Sequence, residues 1–237
     1  MTGASQRDKH LVVVSAGVSD PSSSRLLAER ITGKTLKLLR ESGMSASASL
    51  VELAPLAVDI ARATVSGFPS EQLQAAIERV AAADAIVAST PIYKAAISGL
   101  FKSFVDVLDN DLLVAKPVLL AATAGTSRHA LVIDEQLRPL FGYLRVLVLP
   151  TSVFAGPEDW AATELGERID RAATELAVLV EAGVERRIAD RAWSAYQHRF
   201  AGNASRAERT ADDVDFDSPL MRLAAGGRQA PRAPDAT

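Results

Sequence analysis

The sequence contains no cysteine, which excludes disulfide bridges, thiolate catalysis and cysteine-ligated metals. Its net charge is only -3, so it lacks the basic excess that attracts nucleic acid or an anionic membrane. No apolar run reaches the roughly 20 residues that cross a bilayer. The first ten residues, MTGASQRDKH, are polar and unlike a signal peptide. These absences predict a cytoplasmic protein that binds neither nucleic acid nor membranes.

Hydrophobic residues make up 48% of the 237 positions, enough for the core of one large domain or of one domain with an extension. Four short apolar runs begin at Leu11, Asp84, Lys116 and Leu144. Each run is continuous, which is typical of strands buried on both faces of a parallel sheet. The segment from Ser47 alternates instead, and we expect it to form an edge strand.

Apolar residues recur at helical spacing between these strands and predict five helices. The apolar faces of the first three contain Leu27, Ile31, Thr35 and Leu38; Leu73, Ala76, Ile77 and Val80; and Ile97, Leu100, Phe101, Phe104, Val105 and Leu108. Two more are predicted from about His129 to Gly142 and from Leu165 to Leu179. Five strands that alternate with five helices predict a doubly wound α/β sheet with right-handed crossovers.

The composition changes after Gly183 and predicts two regions. Residues 1–183 form the α/β domain, and residues 184–237 form a C-terminal extension. The extension has an amphipathic helix at about 184–200, followed by a polar tail that we expect to be largely flexible. The tail contains one more apolar island, FDSPLMRLA.

Ligands of an open parallel sheet bind beyond the carboxyl ends of its strands, so the loops at those ends are the candidates. The first such loop, SAGVSDPSSSR, runs from Ser15 to Arg25 and places clustered serines before a helix. Backbone N–H groups and hydroxyls at a helix start suit a phosphate. The loop matches neither the dinucleotide fingerprint nor the Walker motif. In the alternative interpretation, the serines only cap the helix.

The second loop begins at Thr90, which Pro91 keeps extended. We expect Ile92 and Tyr93 to be exposed at the ligand edge, where an apolar and an aromatic side chain suit a flat ring. Alternatively, these two residues pack as a helix staple or at a subunit interface.

The third loop, ATAGTSRHA, combines Gly125 with hydroxyl residues and lets the backbone approach a ligand closely. We predict no catalytic side chain, His129 included, and no metal site. Together the three loops predict a flavodoxin-like mononucleotide site on a five-stranded sheet of order 2-1-3-4-5, between strands one and three.

Two segments carry a resemblance to a known family. TPIYKAAISGLFKSFVDVL and ATAGTSRHALVIDEQLRPLF resemble the NAD(P)H-dependent FMN reductases of flavodoxin-like fold, over roughly residues 10 to 180. The likeness is to the small reductases that feed reduced flavin to a partner monooxygenase. DFDSPLMRL resembles the extension of an actinobacterial subgroup encoded beside luciferase-like monooxygenases.

The resemblance implies three groups of cofactor-binding residues. The FMN phosphate would contact Ser15, Ser22 and Ser24, with Arg25 as a further candidate. The isoalloxazine would be lined by Pro91, Ile92, Tyr93 and Lys94. The polar edge of the ring or the ribityl chain would contact Thr123, Gly125, Thr126 and Ser127. Relatives often carry a basic residue where this chain has Asp20, which implies a more weakly held phosphate and a flavin that leaves as a substrate.

The implied reaction is hydride transfer from NADPH or NADH to FMN, without a protein nucleophile. Reduced FMN would then pass to a flavin-dependent monooxygenase, and the chain would form a homodimer or homotetramer. One alternative is an FMN-containing quinone, azo or nitro reductase. Another is a non-enzymatic flavodoxin-like binding module. An electron-carrier flavodoxin fits less well, because such carriers usually have strong acidic fields.

Overall fold

The computed structural model describes residues 8–193, and the ranges 1–7 and 194–237 lie outside this description. The chain divides into two units, Met1–Ser205 and Arg206–Thr237, and every described residue belongs to the first. The predicted tail and the second half of the predicted helix at 184–200 therefore fall outside the described residues. The predicted domain boundary after residue 183 stays a prediction.

The described residues form one seven-stranded sheet. Its strands are β1 (Lys9–Ser15), β2 (Ala46–Glu52), β3 (Ala85–Tyr93), β4 (Ala96–Ile97), β5 (Pro117–Thr123), β6 (Leu147–Val148) and β7 (Val153–Ala155). The hydrogen-bonded order is β2-β1-β3-β5-β6, and all these neighbours are parallel. β4 pairs with β3 in antiparallel fashion, and β7 pairs in parallel with β5.

Helices cover both faces of this sheet. The α-helices are α1 (Ser23–Glu41), α2 (Ala57–Ser66), α3 (Glu71–Ala82), α4 (Gly99–Asp106), α5 (Arg138–Tyr143), α6 (Thr163–Glu181) and α7 (Val184–Ile188). Short 3₁₀ turns occupy Ala54–Leu56, Ser127–His129 and Glu158–Ala161, and π-helical turns occupy Ile133–Leu137 and Ala189–Trp193. No helix within residues 8–193 has the length and hydrophobicity that a membrane span needs.

The predicted strand order 2-1-3-4-5 is confirmed, with β5 as the fourth strand and its outer neighbour as the fifth. That fifth strand is interrupted, because β6 pairs with the start of β5 and β7 pairs with its end. Pro150 lies in the gap and has no N–H to donate to a ladder. Arg138 donates hydrogen bonds to the carbonyls of Leu149 and Pro150 there instead.

Two details of the helices differ from the prediction. Helix α2 was not predicted, although it contributes Ile60 and Ala63 to the core. The helix predicted from Ile97 begins at Gly99, because Ile97 pairs with Ile92 across β3 and β4.

The core consists of two layers, one on each face of the sheet. Val12 and Val14 point to the layer covered by α2, α3, α4 and α5, where the rings of Phe101 and Phe141 lie 6.1 Å apart. Leu11 and Val13 point to the layer covered by α1 and α6. Since side chains alternate along a strand and both faces are covered, the central strands β1, β3 and β5 are largely apolar, whereas the edge strand β2 also carries Ser47, Ser49 and Glu52.

Helix α1 places its first turn at the carboxyl edge of the sheet, beside the ends of β3 and β5. Ser22 caps the helix, since its hydroxyl accepts a hydrogen bond from the Arg25 N–H. At the other end Gly43 has a φ of 85°, the left-handed conformation that commonly follows a helix.

Candidate functional site

Loops at the carboxyl edge of the sheet enclose a cleft of about 500 Å³. This volume falls within the range of about 300–1,000 Å³ that is typical of small-molecule sites. The loops follow β1, β3, β5 and β7. The described residues that line the cleft are Gly17, Ser19, Ser22, Ser23, Ser24, Pro91, Ile92, Tyr93, Thr123, Ala124, Gly125, Ala155, Pro157 and Trp160.

Another cleft of similar size, about 530 Å³, lies at the amino edge of the sheet around Lys116 and Glu185. A wide depression also lies over α2 beside the exposed side chains of Val65 and Phe68. We assign the candidate site to the carboxyl-edge cleft, because ligands of open α/β sheets bind at that edge, where the strand order reverses. Here the order reverses between β1 and β3.

The loop after β1 is tightly packed around Gly17. A Cβ atom at this position would lie 1.8 Å from the Oγ of Ser22, so a side chain there would displace the Ser22 hydroxyl. That hydroxyl caps α1 at 3.2 Å from the Arg25 nitrogen. The interpretation that a serine caps the helix is therefore confirmed for Ser22, and the same residue lines the cleft.

Ser24 connects the loop after β1 to the end of β5. Its Oγ lies 2.6 Å from the Oγ1 of Thr123, and both residues are buried. The hydroxyl of Ser89 donates to the Ser24 carbonyl at 2.8 Å. These bonds fix the first turn of α1 against β3 and β5 and give the floor of the cleft a defined shape.

A two-residue hairpin after β3 forms the rim of the cleft. Pro91 keeps the chain extended as predicted, and β3 continues to Tyr93. Lys94 and Ala95 then have φ values of 53° and 63°, the conformation of a type I′ turn, which non-glycine residues seldom adopt. Strained backbone of this kind clusters at ligand-binding sites.

The two residues expected to be exposed on this hairpin differ. Tyr93 is 50% exposed, as predicted, and its ring stands at the rim. Ile92 is 5% exposed, so the prediction that it stands exposed is wrong. The reason is the antiparallel pairing with Ile97, which turns Ile92 toward the core around Phe101 and Phe104.

The side chain of Gln136 attaches the hairpin to the π-helical turn Ile133–Leu137. Its Oε1 accepts a hydrogen bond from the Ile97 N–H at 3.1 Å, and its Nε2 donates to the Ala95 carbonyl at 3.1 Å. One amide group thus satisfies a donor and an acceptor of the hairpin backbone. Such a pair of bonds restrains the turn that carries Tyr93.

The third loop contributes less to the cleft than expected. Gly125 lines it, whereas Thr126 and Ser127 do not. The hydroxyl of Thr126 accepts a hydrogen bond from the Arg128 N–H at 3.4 Å and caps the 3₁₀ turn Ser127–His129.

A fourth loop, which was not among the predicted ones, also lines the cleft. It follows β7 and contributes Ala155, Pro157 and Trp160. The Trp160 ring lies 6.0 Å from the Arg30 guanidinium carbon on α1, within cation–π distance. Ligands of such sheets bind at the carboxyl ends of the strands, and β7 is one of them. That rule, applied to β7, would have identified the loop that contains Trp160.

Among the described residues, none that lines the cleft carries a charged side chain. Arg25 follows the lining serines, but its Nε lies 2.7 Å from Glu29 Oε1 and its Nη1 lies 3.1 Å from Glu52 Oε1. The hydrogen bond and charge of Glu29, with the charge of Glu52, raise the pKa of Arg25 above its ordinary value. Arg25 therefore stays charged and paired outside the cleft.

The structure brings seven of the twelve predicted site residues together in the cleft: Ser22, Ser24, Pro91, Ile92, Tyr93, Thr123 and Gly125. The other five lie outside its lining: Ser15, Arg25, Lys94, Thr126 and Ser127. Ser15 is buried at the end of β1, where its carbonyl accepts a hydrogen bond from the Leu53 N–H.

A doubly wound parallel sheet with hydroxyls at a helix start and an aromatic rim at the switch point defines a flavodoxin-like mononucleotide-binding protein. The comparisons with known proteins specify this class further. The model of the NADPH-dependent FMN reductase family matches residues 10–161, and the chain belongs to this family. It is accordingly an NAD(P)H-dependent flavin oxidoreductase.

Relatives and a solved structure agree with this family. The chain is 38% identical to the NADH-dependent FMN reductase SfnE of Pseudomonas putida, over 64% of this chain and 79% of that protein. It is 36% identical to an FMN reductase (NADPH) of Pseudomonas aeruginosa, over 63% and 78%. The crystal structure of an oxidoreductase from Corynebacterium diphtheriae superposes with a TM-score of 0.71 at 41% identity, over 73% of this chain and 97% of that one.

The cleft fits the FMN that this family membership implies. The missing Cβ of Gly17 leaves space for the Ser22 Oγ, and Ser22, Ser23 and Ser24 line the cleft at the start of α1, where a phosphate is favoured. The half-exposed Tyr93, which lines the same cleft, provides an aromatic surface for a flat ring. NADPH or NADH is the implied reductant.

Proposed function

We propose that this chain reduces FMN as an exchanging substrate and supplies reduced FMN to a luciferase-like, flavin-dependent monooxygenase. The observation that supports exchange is the uncharged lining of the cleft within the described residues. Neutral donors bind a phosphate less strongly than an arginine or lysine does, because charge-assisted hydrogen bonds are about twice as strong. A flavin held this way leaves more readily than one held by cations.

The chain's own residues would bind and orient the flavin. The serines of the first loop, with Ser22 and Ser24 foremost, would contact the phosphate, and Tyr93 would pack against the ring. Thr123 and Gly125 would lie beside the polar part of the molecule. Bound FMN supplies the hydride-accepting chemistry, so no protein nucleophile is required.

Four other residues of the predicted set, Ser15, Lys94, Thr126 and Ser127, depend on a change of position or on indirect contact. Ser15 would act through the backbone that it supports, and Lys94 would offset charge from the hairpin. Thr126 and Ser127 would approach the ligand only if their turn moved. We also expect a cytoplasmic homodimer or homotetramer that binds neither membranes nor nucleic acid.

Steady-state kinetics across flavins and nicotinamides test the proposal. Purified protein is mixed with NADPH or NADH and with FMN, FAD or riboflavin, and oxidation of the nicotinamide is followed by absorbance. We expect a rate that saturates with added FMN and a colourless protein as purified. Absence of turnover with every pair would overturn the proposal. A yellow protein with ping-pong transfer to a quinone would instead favour an FMN-containing quinone reductase.

The transfer to a monooxygenase needs a separate measurement. A luciferase-like monooxygenase is assayed in the presence of this chain, FMN and the preferred nicotinamide. We expect monooxygenase turnover to follow the amount of this chain, and to fall at subsaturating FMN when Tyr93→Ala weakens flavin binding. Reduced flavin that never supports monooxygenase turnover would limit the function to flavin reduction alone.

A further inference from the structure

Arg25 is the cation nearest in sequence to the serines that line the cleft. It occupies the third position of α1, directly after Ser24, and its backbone N–H donates to Ser22 Oγ at 3.2 Å. A guanidinium so placed is well suited to a phosphate, because its planar donors match phosphate oxygens. Its side chain nevertheless lies outside the lining of the cleft.

Two carboxylates account for this position. Glu29 lies one helical turn after Arg25 on α1 and accepts from its Nε at 2.7 Å. Glu52, the last residue of β2, accepts from its Nη1 at 3.1 Å. Because the two carboxylates come from different elements, α1 and β2, they hold the guanidinium between them, outside the lining of the cleft.

We propose that Glu29 and Glu52 sequester Arg25 from the flavin phosphate and so determine how strongly the enzyme prefers FMN over riboflavin. This inference rests on the proposed binding of flavin in the carboxyl-edge cleft. Arg25 is a latent phosphate contact, and the two glutamates are positioning residues. By holding Arg25, the two glutamates lower the affinity for FMN. A lower affinity suits a reductase that releases its flavin.

The test compares FMN with riboflavin, which has the same ring and lacks the phosphate. Dissociation constants are measured by flavin fluorescence for the full-length wild type and for the double variant Glu29→Ala with Glu52→Ala. We expect FMN to bind about two- to five-fold more tightly to the double variant, within the range of one exposed charge contact. The dissociation constant of riboflavin should stay within about two-fold.

Two further variants separate the arginine from the loss of negative charge. Adding Arg25→Ala to the double variant should abolish the gain for FMN, whereas simple relief of repulsion would leave it intact. Glu41→Ala removes a matched carboxylate, which pairs with Lys37 at i,i+4 spacing at the far end of α1, and should change neither constant. The double variant Glu29→Gln with Glu52→Gln should show a smaller gain in FMN affinity.

The outcomes are distinct. If both double variants keep the wild-type ratio of FMN affinity to riboflavin affinity, the inference is wrong, whereas the proposed flavin binding is unaffected. A gain that survives in the triple variant would overturn it too. A wild type that binds neither flavin would overturn the proposed function and the inference with it. A gain that disappears at high ionic strength supports the inference, since exposed charge contacts are screened by salt.

Discussion

The Nζ of Lys116 lies 2.7 Å from the Oε1 of Glu185 at the amino edge of the sheet. Lys116 immediately precedes β5 and is 1% exposed, while Glu185 belongs to α7 and is 30% exposed. The same Nζ also donates to the Ala83 carbonyl. A buried ammonium requires such partners, so this ion pair fastens α7 to the core at the edge opposite the flavin cleft.

Removal of Glu185 should destabilise the fold without affecting flavin binding. We expect Glu185→Ala to lower the free energy of unfolding by about 2 kcal/mol, below the usual 3–5 kcal/mol for a buried pair, because Glu185 is partly exposed. Urea denaturation measures this change. The FMN dissociation constant should stay unchanged, since the pair lies at the other edge.

A second substitution tests the cause of that loss. Lys116→Met in the Glu185→Ala background removes the unpaired cation and should recover most of the stability. Asp106→Asn is the matched control, because Asp106 pairs with Lys102 on the exposed face of α4, and it should cost under about 1 kcal/mol. A double variant that is no more stable than Glu185→Ala would show that the charge of Lys116 is not responsible.

Substitutions of the neighbouring residues Tyr93 and Ile92 should affect different properties, flavin binding and stability. Tyr93→Ala removes a half-exposed ring and should raise the FMN dissociation constant roughly three- to ten-fold, with stability changed by less than about 0.5 kcal/mol. Ile92→Ala leaves a cavity in the core and should cost about 2–4 kcal/mol. Fluorescence titration and urea denaturation measure the two quantities. Equal loss of stability in both variants would contradict this division.

Ser24 and Thr123 should be energetically coupled through the hydrogen bond between their hydroxyls. Ser24→Ala leaves the buried Thr123 hydroxyl without that partner, at a cost of about 1–3 kcal/mol. Thr123→Val added to it removes the orphaned hydroxyl and should return part of the stability. A double-mutant cycle measured by thermal or urea unfolding gives the coupling, which we expect at about 1 kcal/mol. Additive effects would indicate that the two hydroxyls do not interact.

Gln136 should control the hairpin rather than the core. Gln136→Leu removes both bonds to the Ala95 and Ile97 backbone and keeps a similar size. We expect weaker FMN binding, by about three-fold, with faster amide exchange at Ile97. Leu131→Ala, at an exposed position before the same π-helical turn, is the control and should leave both quantities unchanged. Unaltered exchange at Ile97 would mean that the turn is held by its own backbone.

Much of the fold could be predicted from local sequence pattern. Continuous apolar runs and helical spacing predict the parallel sheet, its order and the helices α1, α3, α4 and α6, since these patterns reflect burial along one element. The helix predicted from about His129 to Gly142 is instead a 3₁₀ turn, a π-helical turn and the short α5. Helix α2 was missed because its buried face consists of only Ile60 and Ala63, while Val58 and Val65 are exposed. A weak apolar face on a short helix leaves little pattern to read.

The candidate site was predicted less completely, because contacts between loops depend on three-dimensional neighbours. Ser24 was predicted as a phosphate contact, yet its hydroxyl lies 2.6 Å from Thr123, ninety-nine positions away in the chain. Ile92 was expected to be exposed, and the pairing with Ile97 buries it. Trp160 was not predicted as a site residue, although it lines the cleft.

The sequence by itself indicated an α/β fold with a serine-rich first loop and a proline-extended aromatic rim, and the resemblance of two segments to the FMN reductases indicated the class of the protein. These features depend on residue type and spacing, which local backbone chemistry translates directly into strands, caps and turns. Only the tertiary structure decided which polar groups face the cleft. Arg25 pairs with Glu29 one turn later on α1 and also with Glu52, twenty-seven positions away, because α1 and β2 are neighbours in the fold.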